Sequence, residues 1–195
     1  MRSRSSVIPI AAAAMLLGGC MVYQHVPQRA YTPAQLRWSD SVSAVREGEL
    51  AALLVGDRGQ RRTGMTRNAL LDSVARARAR DMAARGYFSH VDPDGLGANT
   101  LARRAGYALP ATYDASPAAH NIESAAAGYP YASARNAWRG WMGSPAHRTH
   151  LLGLHPTFVQ QTQFGVGYVY RPDSRKGHYW VVLVAPPPET PVAAR

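Results

Sequence analysis

The sequence predicts an α+β domain in which helices pack around a central antiparallel sheet. Three observations carry this reading. Apolar residues recur at helical spacing over much of 39–143, and glycine and proline interrupt the pattern. From residue 164 the period changes, and Phe164, Val166, Tyr168 and Tyr170 alternate with Gly165, Gly167 and Val169. Residues 178–185 are then apolar on both faces, as a strand covered on both sides must be.

The elements follow in order. Arg2 and Arg4 precede an apolar run at 7–17, too short for a bilayer span of about 20 residues but right for the core of an export signal. It ends in Leu17-Gly18-Gly19-Cys20, which resembles a lipobox, with small residues before the cut and a thiol to take diacylglycerol. The expectation is cleavage of 1–19 and lipidation at Cys20; an ordinary signal peptide with an incidental cysteine is the alternative. Cys20 is the only cysteine, so the fold must rest on packing and not on a disulfide. Residues 20–39, with Pro27 and Pro33, read as a tether, 40–186 as one domain, and 187–195 as a disordered tail.

Within the domain, Ser39 or Asp40 is placed to cap a helix running to about 54, before the breaks at Gly56, Gly59 and Gly64. A second helix is expected over 68–85, with Leu71, Ala75, Ala79 and Met82 as its apolar stripe and Gly86 as its stop. Asp72–Arg76 and Asp81–Arg85 are i,i+4 pairs on its wetter side. A short helix is expected near 99–105. Another is expected over 132–143, where Ala134, Ala137, Trp138, Trp141 and Met142 form an aromatic-rich face closed by Ser144-Pro145. The two strands near 164–170 and 178–185 flank a polar turn and read as a hairpin.

The formal net charge is +10, almost all of the positive charge being arginine. Such a surface attracts polyanions or anionic head groups, with Arg76 and Arg80 taken as exposed examples. A nucleic-acid partner does not suit a protein tethered outside the cell.

Three segments carry a family resemblance: 83–90, ending Tyr87-Phe88-Ser89-His90; His120-Asn121-Ile122-Glu123; and 141–148, Trp141 through His147-Arg148, followed by Leu151-Leu152 and Phe164-Gly165-Val166-Gly167. Their order and spacing over 47–185 resemble the CAP superfamily of cysteine-rich secretory proteins, antigen 5 and pathogenesis-related proteins, and most of all its compact bacterial SCP-like members. The resemblance implies a three-layer α-β-α sandwich. It also implies a cleft of two histidines and two glutamates, which in several members binds zinc or another dication. Carried over by position, the histidines are His90 and His147. His120 stands where the first glutamate would be, and Asn136, five residues before Trp141, where the second would be. Asn136 is expected to face the cleft. With both carboxylates missing, the charge that offsets a dication and the ready general base are gone. The three imidazoles of His90, His120 and His147 would still suit zinc or copper, or they are remnants bonded to one another and to backbone. Asn121 is expected to brace the loop carrying His120. Glu123 could add an oxygen, but in a strand-like segment it is expected to point elsewhere.

Other candidates are weaker. Ser89 and Ser144 each neighbour a histidine, yet there is no Gly-x-Ser-x-Gly elbow, and no His-Glu-x-x-His helix. His150, His155 and His178 read as surface or turn residues, and Trp138, Trp141, Tyr168, Tyr170 and Trp180 as packing. The expected function is a non-enzymatic, membrane-anchored envelope module that binds a lipid, an envelope polymer or a protein. A zinc-dependent, protease-like hydrolase is the alternative. Met21 after Cys20 is not the aspartate associated with inner-membrane retention, so an outer-membrane address is expected if the cell is Gram-negative.

Overall fold

The computed structural model describes residues 41–188. The leader, Cys20, the tether and all but the first two residues of the expected tail lie outside the described residues. Helix α1 is Ser41–Gly56. A two-residue strand β1, Thr66–Arg67, leads into α2, Ala69–Arg85, and α3, Ala98–Arg104, follows. Strand β2, Glu123–Ala127, precedes a single 3-10 turn at Tyr129–Tyr131 and α4, Ala134–Met142. Two short helices, α5 at Pro145–Leu151 and α6 at Pro156–Val159, complete the helical part. The hairpin of β3, Gln163–Arg171, and β4, Gly177–Ala185, closes the fold.

Local chemistry explains the main boundaries. The Asn68 side chain accepts from the Leu70 and Leu71 amides and starts α2, and Gly86 ends it in the left-handed region at φ 71°. Ser133 caps α4 through the Asn136 amide. Ser144-Pro145 does more than close α4, as the sequence suggested. Pro145 opens α5, where its missing N–H costs nothing.

The sheet order is β1-β3-β4-β2, antiparallel except for the short parallel pairing of β1 with β3. One apolar cluster joins α2 and α3 to Ala125, Tyr179, Val181 and Leu183. The other joins α1, α4 and α5 to Ala126, Val166, Tyr168, Trp180, Val182 and Val184. Every residue of β4 is buried, which accounts for its doubly apolar pattern. The layers are therefore α-β-α.

The Phe-Gly-Val-Gly alternation of β3 has a steric cause. Phe164 and Val166 face α1 and α4, whereas Gly165 and Gly167 face α2. A Cβ at Gly167 would lie 2.2 Å from the Ala75 carbonyl carbon, and one at Gly165 would lie 2.2 Å from the Asp72 nitrogen. Beyond β1, the outer edge of β3 is sealed by side chains. The Val166 amide donates to Asp72 at 2.8 Å and the Tyr168 amide to Glu47 at 3.1 Å. Arg76, expected on the surface, instead forks onto the buried Glu47 carboxylate. Edge amides thus find acceptors without exposing a pairing template.

Candidate functional site

The site forms where the turn after α2, the segment before β2 and the start of α5 meet. The β2 alternation aims Glu123 at the α2 layer and Ser124 at the α5 layer. Glu123 does not point away, as a strand-like segment seemed to require; it lies at the centre of the site. Its Oε2 accepts from Arg78 Nε at 3.0 Å, and its Oε1 accepts from His90 Nδ1 at 2.8 Å. Both side chains of the Arg78–Glu123 pair are fully buried. Arg78 also donates to the Tyr87 hydroxyl at 2.6 Å and to the Ser89 carbonyl at 2.8 Å. One guanidinium therefore fixes both the carboxylate and the turn that carries His90. Because Glu123 holds Nδ1–H, the His90 tautomer leaves Nε2 as the ring's unprotonated nitrogen whenever the imidazole is neutral.

His120 stacks on His90 with ring centroids 4.8 Å apart and planes 7° from parallel. Its Nδ1 donates to the Ala118 carbonyl at 3.0 Å. The Asn121 side chain accepts from the buried Asn99 side-chain amide at 2.8 Å. The His147 Nδ1 hydrogen-bonds the Ser144 hydroxyl at 2.9 Å, so Ser144 serves as the ring's orienter. Burial, and then the neighbouring His90, lower the His147 pKa below the usual histidine value. His147 thus stands near enough to His90 to feel its charge, and His120 stacks on His90. Asn136 does not join them: its side chain accepts from Arg139 on its own helix.

Beneath the cleft lies a polar floor that the sequence did not reveal. His150 and His178 are both buried, not at the surface. His150 shares a 2.7 Å hydrogen bond with Ser124, and burial, reinforced by Arg62, pushes its pKa down to about 3. Arg62 is itself buried and spends its guanidinium on carbonyls, including Leu151 and Phe158 at 2.8 Å each. His178 accepts the Tyr168 hydroxyl on the far side of the molecule. His155 is exposed and caps α6, as a turn residue should.

The three imidazoles do not fit zinc. Among the described residues no group of three or more His, Cys, Asp or Glu side chains converges as a metal site. The stack gives the reason. Nitrogen lone pairs lie in the ring planes, and two nearly parallel planes offer no point about 2.0–2.1 Å from both nitrogens along those directions.

Comparison with known proteins agrees with this architecture. The family model described as "CAP: Cysteine-rich secretory protein family" matches residues 35–184. The chain belongs to the CAP family. Comparison with curated proteins finds no match. An extracellular SCP-domain protein of Bacillus anthracis superposes with a TM-score of 0.54 at 20% identity, over 81% of this chain and 45% of its own. The CAP chain thus spans under half of that protein. An outer surface protein of Borrelia burgdorferi superposes with a TM-score of 0.55 at 16% identity, over 74% of this chain and 91% of its own. At these identities the likeness is one of fold.

One signal for the missed Arg78 was available. Arg78 falls on the buried face of α2, between Ala75 and Met82, and a buried arginine requires an acceptor. Glu123 supplies it.

Proposed function

We propose that this CAP-family protein is an envelope module, held to a membrane through lipid on Cys20, whose histidine cleft recognises a ligand without turning it over. The observation that carries the reading is the engagement of Glu123. It is the carboxylate in contact with His90, and both of its oxygens are committed to Arg78 and His90. The two family positions that would supply a free base hold His120 and Asn136. What the cleft offers instead is a fixed, half-exposed imidazole stack beside a neutral His147, a surface suited to hydrogen bonding and ring contact. The extracellular and outer-surface descriptions of the two structural neighbours support an envelope location.

The test uses the purified full chain with arrays of envelope lipids and polymers, alongside peptide and ester substrates. Retention of a ligand that weakens at least tenfold in His90→Ala and His147→Ala, with no turnover, is the expected result. Hydrolysis that disappears in His147→Ala would overturn the reading.

A further inference from the structure

Ion pairs concentrate around α2. The α2 layer carries its own carboxylates, and Arg67, Arg76, Arg78 and Arg85 all pair with them or with Glu47, Asp94 or Glu123. The other layer is different. Residues 124–172 contain no aspartate or glutamate, yet they include Arg135, Arg139 and Arg148, all exposed on α4 and α5. The loop after α1 brings exposed Arg58 and Arg61 to the same side. Its Asp57 accepts from the Trp138 indole of α4 at 3.1 Å and from the Gly59 amide at 2.8 Å. The Arg61 amide donates to the Leu152 carbonyl, at the end of α5, at 2.9 Å. The loop's own carboxylate is thus spent on holding it in place. Among the described residues none of these five arginines has an ion-pair partner. Glu49 borders the patch across a groove of about 510 Å³ that Arg135 also lines. The buried Arg62 adds positive charge from below, its partners at the end of α5 being carbonyls.

We propose that the outer face of α4 and α5, with the 57–61 loop, docks an anionic polysaccharide through Arg58, Arg61, Arg135, Arg139 and Arg148. The proposal goes beyond the cleft and does not depend on it. Guanidinium forks match discrete phosphate or carboxylate groups in a way that lysine does not. Arg135 and Arg139 stand one helical turn apart, about 5–6 Å between Cβ atoms, a fixed spacing against repeated charges. A bilayer surface fits less well. On and between α4 and α5 the other exposed residues, Gly140, Gly143, Pro145 and Ala146, include no large apolar side chain to enter the headgroup region, and the exposed Val55 and Leu154 stand singly, just before the loop and just after α5.

The test measures binding of the full chain to polygalacturonate and to inorganic polyphosphate, with neutral dextran and phosphatidylglycerol vesicles as comparisons. Expected is binding to both charged polymers that weakens with salt and falls at least tenfold in the triple variant Arg135→Gln, Arg139→Gln, Arg148→Gln. The slope of log affinity against log salt should drop by about one per arginine removed, by analogy with phosphate contacts. Arg58→Gln with Arg61→Gln should weaken binding in the same sense, and Arg175→Gln, on the hairpin turn, should leave it unchanged. The five arginines are all distinct from the histidines of the cleft, so failure here is separable from failure of the cleft reading. Equal polymer affinity in the triple variant and the unaltered protein overturns the proposal. So does binding to the vesicles without either polymer, or to nothing.

Discussion

At the scale of single residues, Glu123 and His150 carry most of the site's energetics. Glu123 is completely buried against an equally buried Arg78, so removing one partner leaves an uncompensated charge. Glu123→Ala should therefore cost about 3–5 kcal/mol in urea unfolding, whereas replacing both members by apolar residues should recover much of that. A loss below about 1 kcal/mol would mean that the pair is not buried as described. His150 predicts a pH dependence. Its folded pKa of about 3 lies below the ordinary value near 6.5 that it regains on unfolding. Between those values the unfolded chain binds a proton that the native chain refuses. Its contribution to stability is thus complete above about pH 6.5 and declines as pH falls toward 3, by up to about 1.4 kcal/mol per unit. Urea midpoints at pH 7, 5.5 and 4.5 should fall in that order, and His150→Gln should flatten the series.

At the scale of elements, glycine has opposite meanings in two places. Gly48 lies within α1, and a Cβ there would meet nothing within 4 Å. Gly48→Ala should stabilise the protein by about 0.5–1 kcal/mol, because alanine loses less conformational freedom in a helix. Gly167 lies in β3 against the α2 backbone, and a Cβ would arrive 2.2 Å from Ala75. Gly167→Ala should cost at least about 1–3 kcal/mol, since α2 must move off the sheet. Thermal unfolding of the two variants should thus show shifts of opposite sign; a neutral Gly167→Ala would contradict the close approach of α2 to β3. The long elements were legible in the sequence because each has a complete local signature. Helix α2 has its cap at Asn68, its stripe and its stop at Gly86, and the hairpin has its change of period. Strand β2, by contrast, reads Glu-Ser-Ala-Ala-Ala, with no β-branched or aromatic residue. It is a strand because β4 pairs with it along its length.

At the scale of the molecule, anchoring and charge work together in the proposed function. Among the described residues no helix is long and apolar enough to cross a membrane. The proposed attachment is through Cys20, in the lipobox-like Leu17-Gly18-Gly19-Cys20. Cys20→Ser should abolish incorporation of radiolabelled palmitate and move the protein from the membrane fraction to the soluble one. Unchanged membrane association in that variant would locate the anchor elsewhere.

Sequence alone determined the α+β class, the order of the long helices, the closing hairpin and the CAP-family motifs. These depend on periodicity, caps and motif spacing, which are local properties written into neighbouring residues. The tertiary structure decided the rest. It turned Glu123 inward to Arg78, sank His150 and Arg62 beneath the cleft, stacked His120 on His90 out of reach of a shared metal, and drew Arg76 off the surface onto Glu47. None of this is local. A side chain's burial, partner and protonation depend on what another element, tens of residues away, places against it.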